Sequence, residues 1–462
     1  MLFLWIFLPA VFIGYRLLHE KYRNIFLLLA SLVFYGWGEP KNLDIMIVSI
    51  LMNYFCGLGI GKFENKWKKV LLIAGVIVNL AVLAYFKYMT PSLETVSKLF
   101  QWDNLYKGVA LPIGISFYTF QAISYIADVY RGTIKPQKNL IDMGLYITFF
   151  PQLIAGPIVK YHDIEQQLKV RPLELTETAY GVRRFIYGLA KKVLIANQIA
   201  TISDDIFAIP VQNLDTPVAW LGVIAFYLQV YFDFSGYSDM AIGLGHMFGF
   251  RFMENFNYPF ISRSIREFWQ RWNISVFTWF REYLYFPLGG SRKGELRTNL
   301  NILIVFTATG IWHGAAFNFM FWGIYWGILM LIERAWIGKY LDKPSWRIPS
   351  HIYFIVMICI GGVFFQTENL LQTAKYLSSM FLWHNNPALH LRDVISLWGW
   401  LLVGAAVILS GPLQTLVPSL RNALFREDRI YIMEIPLLIL LLAASVFVLS
   451  GSSYNPFIYF RF

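Results

Sequence analysis

The sequence predicts an all-α, polytopic membrane protein of roughly 11 transmembrane helices with further interfacial or re-entrant ones. Three observations carry that prediction. Hydrophobic residues make up 57% of the 462 positions and charged residues only 15%, too little polar surface for a soluble domain. Apolar blocks recur at 70–86, 302–332, 352–365, 397–413 and 435–449, most of them close to the ~20 residues that cross a hydrocarbon core as a helix. The blocks are continuous rather than alternating, which selects helices over a barrel.

The elements follow in order. "MLFLWIFLPAVFIGYRLL" opens apolar, without a basic leader or a small-residue cleavage site, and reads as a retained first span. "RLLHEKYRN" and "KFENKWKK" are basic, whereas "GEPKNLD" between them is balanced. By the positive-inside rule the basic loops are cytoplasmic and the N-terminus is outside. "IGKYLDKPSWR" and "SLRNALFREDR" repeat the pattern near the other end, which puts the C-terminal tail outside as well. The same rule explains the net charge of +11 without nucleic acid. Cys56 and Cys359 lie apart in apolar blocks and suggest neither a disulfide framework nor a metal site.

The middle is less regular. Residues 160–184 are mixed in charge and read as a surface loop with an interfacial helix. Lys191 and Lys192 interrupt an apolar pattern at a cost that would place that segment partly at the interface. "FDFSGYSDMAIGLGHMFGF" is rich in glycine and holds Asp233 and Asp239, as expected for close helix packing or broken helices. Residues 301–336 would reach ~54 Å as one helix, so a break is expected, with Gly310 and Gly314 bracketing it. No solenoid repeat, second soluble domain or long linker is visible.

His313 sits between those glycines in "TGIWHGAAFNFMFWG", the one ionisable side chain of the stretch. It could simply bond between helices. An imidazole at membrane depth favours function instead, because it can take a proton from a hydroxyl and return it later. His246 in "GLGHMFGF" reads more as packing. Residues 262–294 mix five arginines with aromatics, as in an interfacial helix. At helical spacing Arg263, Glu267 and Arg271 share one face, and Trp269, Asn273 and Phe277 another. Asn273 could cap or bond nearby backbone, or it could hold a substrate carbonyl.

"RSIREFWQRWNISVFTWFREYLYFPLGGSR" followed by "TATGIWHG" resembles the membrane-bound O-acyltransferase family, in its bacterial alginate O-acetyltransferase-like branch. "LPIGISFYTFQAISYIADVYRG", "FFPQLIAGPIVKY" and "YLQVYFDFSGYSDMAIGLG" fit the same branch in the same order. The resemblance implies a single membrane domain around a central tunnel, with N-terminal spans 1–108, a catalytic core 109–336 and C-terminal spans 337–462. It implies His313 and Asn273 as catalytic residues, and Gln229, Asp233, Trp269, Arg281 and Trp312 as substrate or tunnel positions. Alginate-type members usually read "RWH" where this chain reads "RWN". Asparagine can only hydrogen-bond, so His313 is the sole base candidate.

The implied activity moves an acyl group, expected to be acetyl, from a cytoplasmic thioester such as acetyl-CoA for O-acetylation of a cell-surface or secreted polysaccharide. No permanently bound cofactor and no metal are expected. Expected partners are membrane lipids and an extracytoplasmic acyltransferase acting on the polysaccharide. The tail "NPFIYFRF", with Tyr459, Phe460 and Phe462, is either an interface anchor or a docking segment for that partner. "PLGGSRKG" favours this reading over D-alanyl transfer to teichoic acid. A glycan or lipid transporter is the other alternative, but no related pair of halves is visible.

Overall fold

The computed structural model describes residues 1–89, 93, 111–154, 156–171, 173–383, 391–419 and 434–451; Tyr459, Phe460 and Phe462 fall outside them. Among the described residues every regular element is helical. Two compact units are present: Met1–Phe185 with Met240–Met253, and Ile186–Asp239 with Glu254–Phe462.

The first unit holds α1 (Leu8–Leu17), α2 (Glu20–Gly38), α3 (Leu43–Lys62), α4 (Asn65–Ala84), α5 (Ile115–Arg131), α6 (Leu140–Thr148), α7 (Tyr161–Lys169) and the start of α8 (Leu175–Ala190). The stretches carrying α3 and α4 are long and apolar enough to cross a membrane, and Phe3–Leu17 is a shorter apolar helix. Buried Asn53 and Asn79 exchange amide hydrogen bonds of 3.2 and 2.8 Å between α3 and α4. Such an amide pair gives two otherwise apolar helices a fixed register. Outside these spans, His162 on α7 lies 2.8 Å from Asp128 of α5 and 3.2 Å from Asp163. Its hydrogen bonds to Asp128 and then Asp163 push the imidazole pKa up to about 9. His246 has Nδ1 2.6 Å from Glu177 and its ring edge-on to Tyr180. Arg251 pairs with the same Glu177.

The second unit continues α8 into a π-helical turn, Lys191–Ala196, and then α9 (Asn197–Ala208). α10 (Thr216–Met247) follows, an unbroken 32-residue helix. The glycine-rich sequence thus gives close packing and no break. Its two aspartates also account for the lysines. Lys191 Nζ is 2.6 Å from Asp239, and Lys192 Nζ is 2.5 Å from Asp233. The cost that suggested an interfacial position is offset by ion pairing with α10.

Next come α11 (Ile265–Arg271), α12 (Ile274–Phe280), α13 (Glu295–His313), α14 (Phe317–Ile332), α15 (Arg347–Gln366), α16 (Leu370–Phe381), α17 (Leu397–Leu409) and α18 (Glu434–Gly451). α10, α15 and α18 lie in stretches that meet the length and hydropathy of a membrane span. The core of this unit packs Phe268, Trp326, Phe354 and Val363 around α10. Residues 301–336 do break, between His313 and Phe317.

Candidate active site

α13 and α14 form a hairpin that touches backbone to backbone. A Cβ on Gly310 would lie 2.3 Å from the Phe319 carbonyl oxygen, and one on Gly323 would lie 2.3 Å from that of Phe306. Only glycine permits this approach. Asn318 fastens the hairpin to α15 by donating to the Phe364 carbonyl at 3.1 Å and to that of Thr367. His313 is the last residue of α13. Its ring is held by Trp312, Trp322 and Phe365 at centroid distances of 4.7, 5.0 and 5.2 Å.

The other side of the site is a helix broken in the middle. Buried Glu333, just past α14, accepts the backbone N–H groups of Ile265 at 2.6 Å and Arg266 at 3.0 Å, which caps α11. Glu267 and Arg271 pair at 2.9 Å along α11, as their spacing predicts, but Arg263 precedes the helix and reaches Glu267 only through its backbone N–H at 2.9 Å. The expected second face is corrected: Trp269, Asn273 and Phe277 do not share one helix. Asn273 has φ 44° and ψ 55°, in the left-handed region, and divides α11 from α12. Asparagine and histidine are among the few residues that adopt this backbone readily. The requirement fits the asparagine found here.

Two cavities meet at these residues. One, of about 50 Å³, is walled by Tyr227, Val230 and Phe234 of α10 and by Trp322, Trp326 and Phe365. The other, of about 200 Å³, runs past Phe277, Phe306 and Thr309 to Arg281 and Tyr285. Trp269, Trp272, Asn273 and His313 line both. The Asn273 side chain does not cap α12. The indole N–H groups of Trp269 and Trp326 are buried without a partner among the described residues.

Of the positions expected at the site, His313, Asn273, Trp269 and Arg281 line the cavities. Trp312 stands behind His313, edge-on to it. Gln229 and Asp233 are absent from both walls. Each precedes a lining residue, Val230 or Phe234, by one position, which is ~100° of helix rotation away. The α10 stripe and the Trp322–Trp326 pair were not anticipated. The i, i+4, i+8 spacing of Phe226, Val230 and Phe234 was the available signal, but it also describes ordinary core.

An imidazole and an amide facing shared cavities inside apolar helices suit group transfer within a membrane. Comparison with known proteins identifies the class. The membrane-bound O-acyltransferase family pattern matches residues 134–371. A probable alginate O-acetylase of Pseudomonas putida is 40% identical over all of this chain and 99% of its own length. A peptidoglycan O-acetyltransferase of Helicobacter pylori is 35% identical over 82% of this chain and 78% of its own. A teichoic acid D-alanyltransferase of Bacillus subtilis is 29% identical over 55% of this chain and 68% of its own. The chain belongs to the membrane-bound O-acyltransferase family. It is a multi-pass membrane O-acyltransferase.

Proposed function

We propose that this protein moves an acetyl group from a cytoplasmic thioester, acetyl-CoA, toward O-acetylation of a cell-surface or secreted polysaccharide. The observation that carries the reading is the meeting of two cavities at His313 and Asn273. The donor's acyl carbon is brought to that junction. His313 takes the proton of the acceptor hydroxyl as its oxygen attacks the thioester carbonyl. Collapse of the tetrahedral intermediate breaks the C–S bond, and the proton passes to the departing sulfur. Asn273 donates its amide N–H to the carbonyl oxygen as negative charge develops there. The indole N–H groups of Trp269 and Trp326 are further donors in the same wall. Arg281, half exposed at the wider cavity, suits the anionic part of the donor.

Support for acetyl over D-alanyl comes from the relatives: the acetylating ones align over far more of the chain. In this reading the protein lies in the cell membrane, both termini are extracytoplasmic, and a separate extracytoplasmic acyltransferase completes delivery to the polysaccharide. The test is base-labile ester content of surface glycans in cells carrying His313→Ala. The reading predicts loss of esters with normal membrane insertion, and unchanged esters would refute it.

A further inference from the structure

Asn273 stands at the start of α12 with a left-handed backbone. An asparagine at a helix start ordinarily uses its side-chain oxygen on the free N–H groups of the first turn from an extended backbone, which Asn273 lacks. Here another asparagine does so. The Asn255 carbonyl accepts the Ile274 N–H at 2.9 Å, and its Oδ1 accepts the Ser275 N–H at 3.1 Å. Its own amide donates to Ser238 Oγ at 3.1 Å, which anchors it on α10. Asn255 is 3% exposed. Two residues on, the Asn257 N–H donates to the Arg271 carbonyl at 2.9 Å, and the Asn257 carbonyl accepts Arg271 Nη1 at 3.1 Å. The Trp272–Asn273 pair is therefore bracketed on both sides by one extended segment.

We propose that Asn255 is a positioning residue for acyl transfer: it supplies the cap of α12 from outside, and so leaves the Asn273 amide to face the cavities. This rests on the reading of Asn273 as a site residue. When Asn255 Oδ1 is removed, the buried Ser275 N–H loses that acceptor. The nearest substitute is the Asn273 side chain two residues earlier, once its backbone turns from the left-handed to the extended N-cap conformation. Once it caps, the amide is withdrawn from the reacting carbonyl. Asn255 thus acts through Asn273 and touches no substrate.

The experiment is a double-mutant cycle on the purified full-length protein in lipid nanodiscs, supplied with the polysaccharide acceptor and its transferring partner and read by the rate of thiol release across a range of acetyl-CoA concentrations. Asn255→Ala is expected to lower the rate at least ~10-fold, part of the ~100-fold or more expected for the loss of a carbonyl donor, with donor KM little changed. Asn255→Asp keeps the Oδ1 acceptor, with the Ser238 hydroxyl donating in place of the lost amide N–H, and restores most of the rate, which also covers the case in which the alanine variant fails to fold. In an Asn273→Ala background, Asn255→Ala adds less than about twofold, because its effect runs through the missing amide. Equal rate losses in both backgrounds, or a wild-type rate in Asn255→Ala while Asn273→Ala is impaired, overturn the proposal. Full activity in Asn273→Ala instead overturns the parent reading, and this proposal with it.

Discussion

Gly323→Ala is the sharpest probe of the α13–α14 hairpin. The new methyl carbon would stand 2.3 Å from the Phe306 carbonyl oxygen and 3.1 Å from Thr307 Cα. Ordinary contact begins near 3.4 Å, so α13 must retreat by about an ångström. Both obstacles are backbone, and neither can rotate away. Phe306 lies seven residues before His313 on the same helix, and the imidazole must move with it. A displacement of ~1 Å at reacting groups costs ~100-fold in rate. The added strain, about 1–3 kcal/mol, leaves the protein folded and inserted. The assay is thiol release from acetyl-CoA, with the polysaccharide acceptor and its transferring partner present, by equal amounts of membrane-inserted protein. Gly404→Ala on α17 is the control, since its methyl meets nothing within 4 Å. Gly323→Ala activity within twofold of wild type would show that the close approach does not position His313.

Two further predictions concern the frame. Lys192→Ala takes the lysine from Asp233, which is 3% exposed, and should destabilise the protein by about 3–5 kcal/mol. Lys192→Met with Asp233→Leu should recover most of that, measured as the thermal midpoint in detergent; no recovery would mean that the pair does more than neutralise itself. His162, with a pKa raised to about 9, contributes stability that is full below its ordinary value of 6.5. That contribution is lost as pH rises through about 9. His162→Gln should remove this alkaline step from a plot of thermal midpoint against pH, and an unchanged step would assign it elsewhere.

Much of this was legible in the sequence where the signal is local. The glycines around His313 marked the hairpin turn, and continuous apolar runs marked the helices at 70–86, 352–365 and 435–449. Local reasoning failed where a distant segment decides. Helical arithmetic put Trp269, Asn273 and Phe277 on one face, but a single left-handed residue ends the helix that the arithmetic assumes. The three still line one cavity, because α11 and α12 both border it. Lys191 and Lys192 looked unaffordable in an apolar helix because their aspartates lie more than 40 residues away. Asn255 carried no signal at all: nothing in "ENFN" announces that it caps a helix beginning at Ile274.

The central claim is that His313 moves the proton in acyl transfer at the junction of the two cavities. Purified protein in liposomes, given radiolabelled acetyl-CoA and a polysaccharide acceptor with its transferring partner, measures that step directly. His313→Ala and His313→Gln should each lower label transfer by at least ~100-fold while acetyl-CoA still binds. Transfer at the wild-type rate by either variant would contradict it.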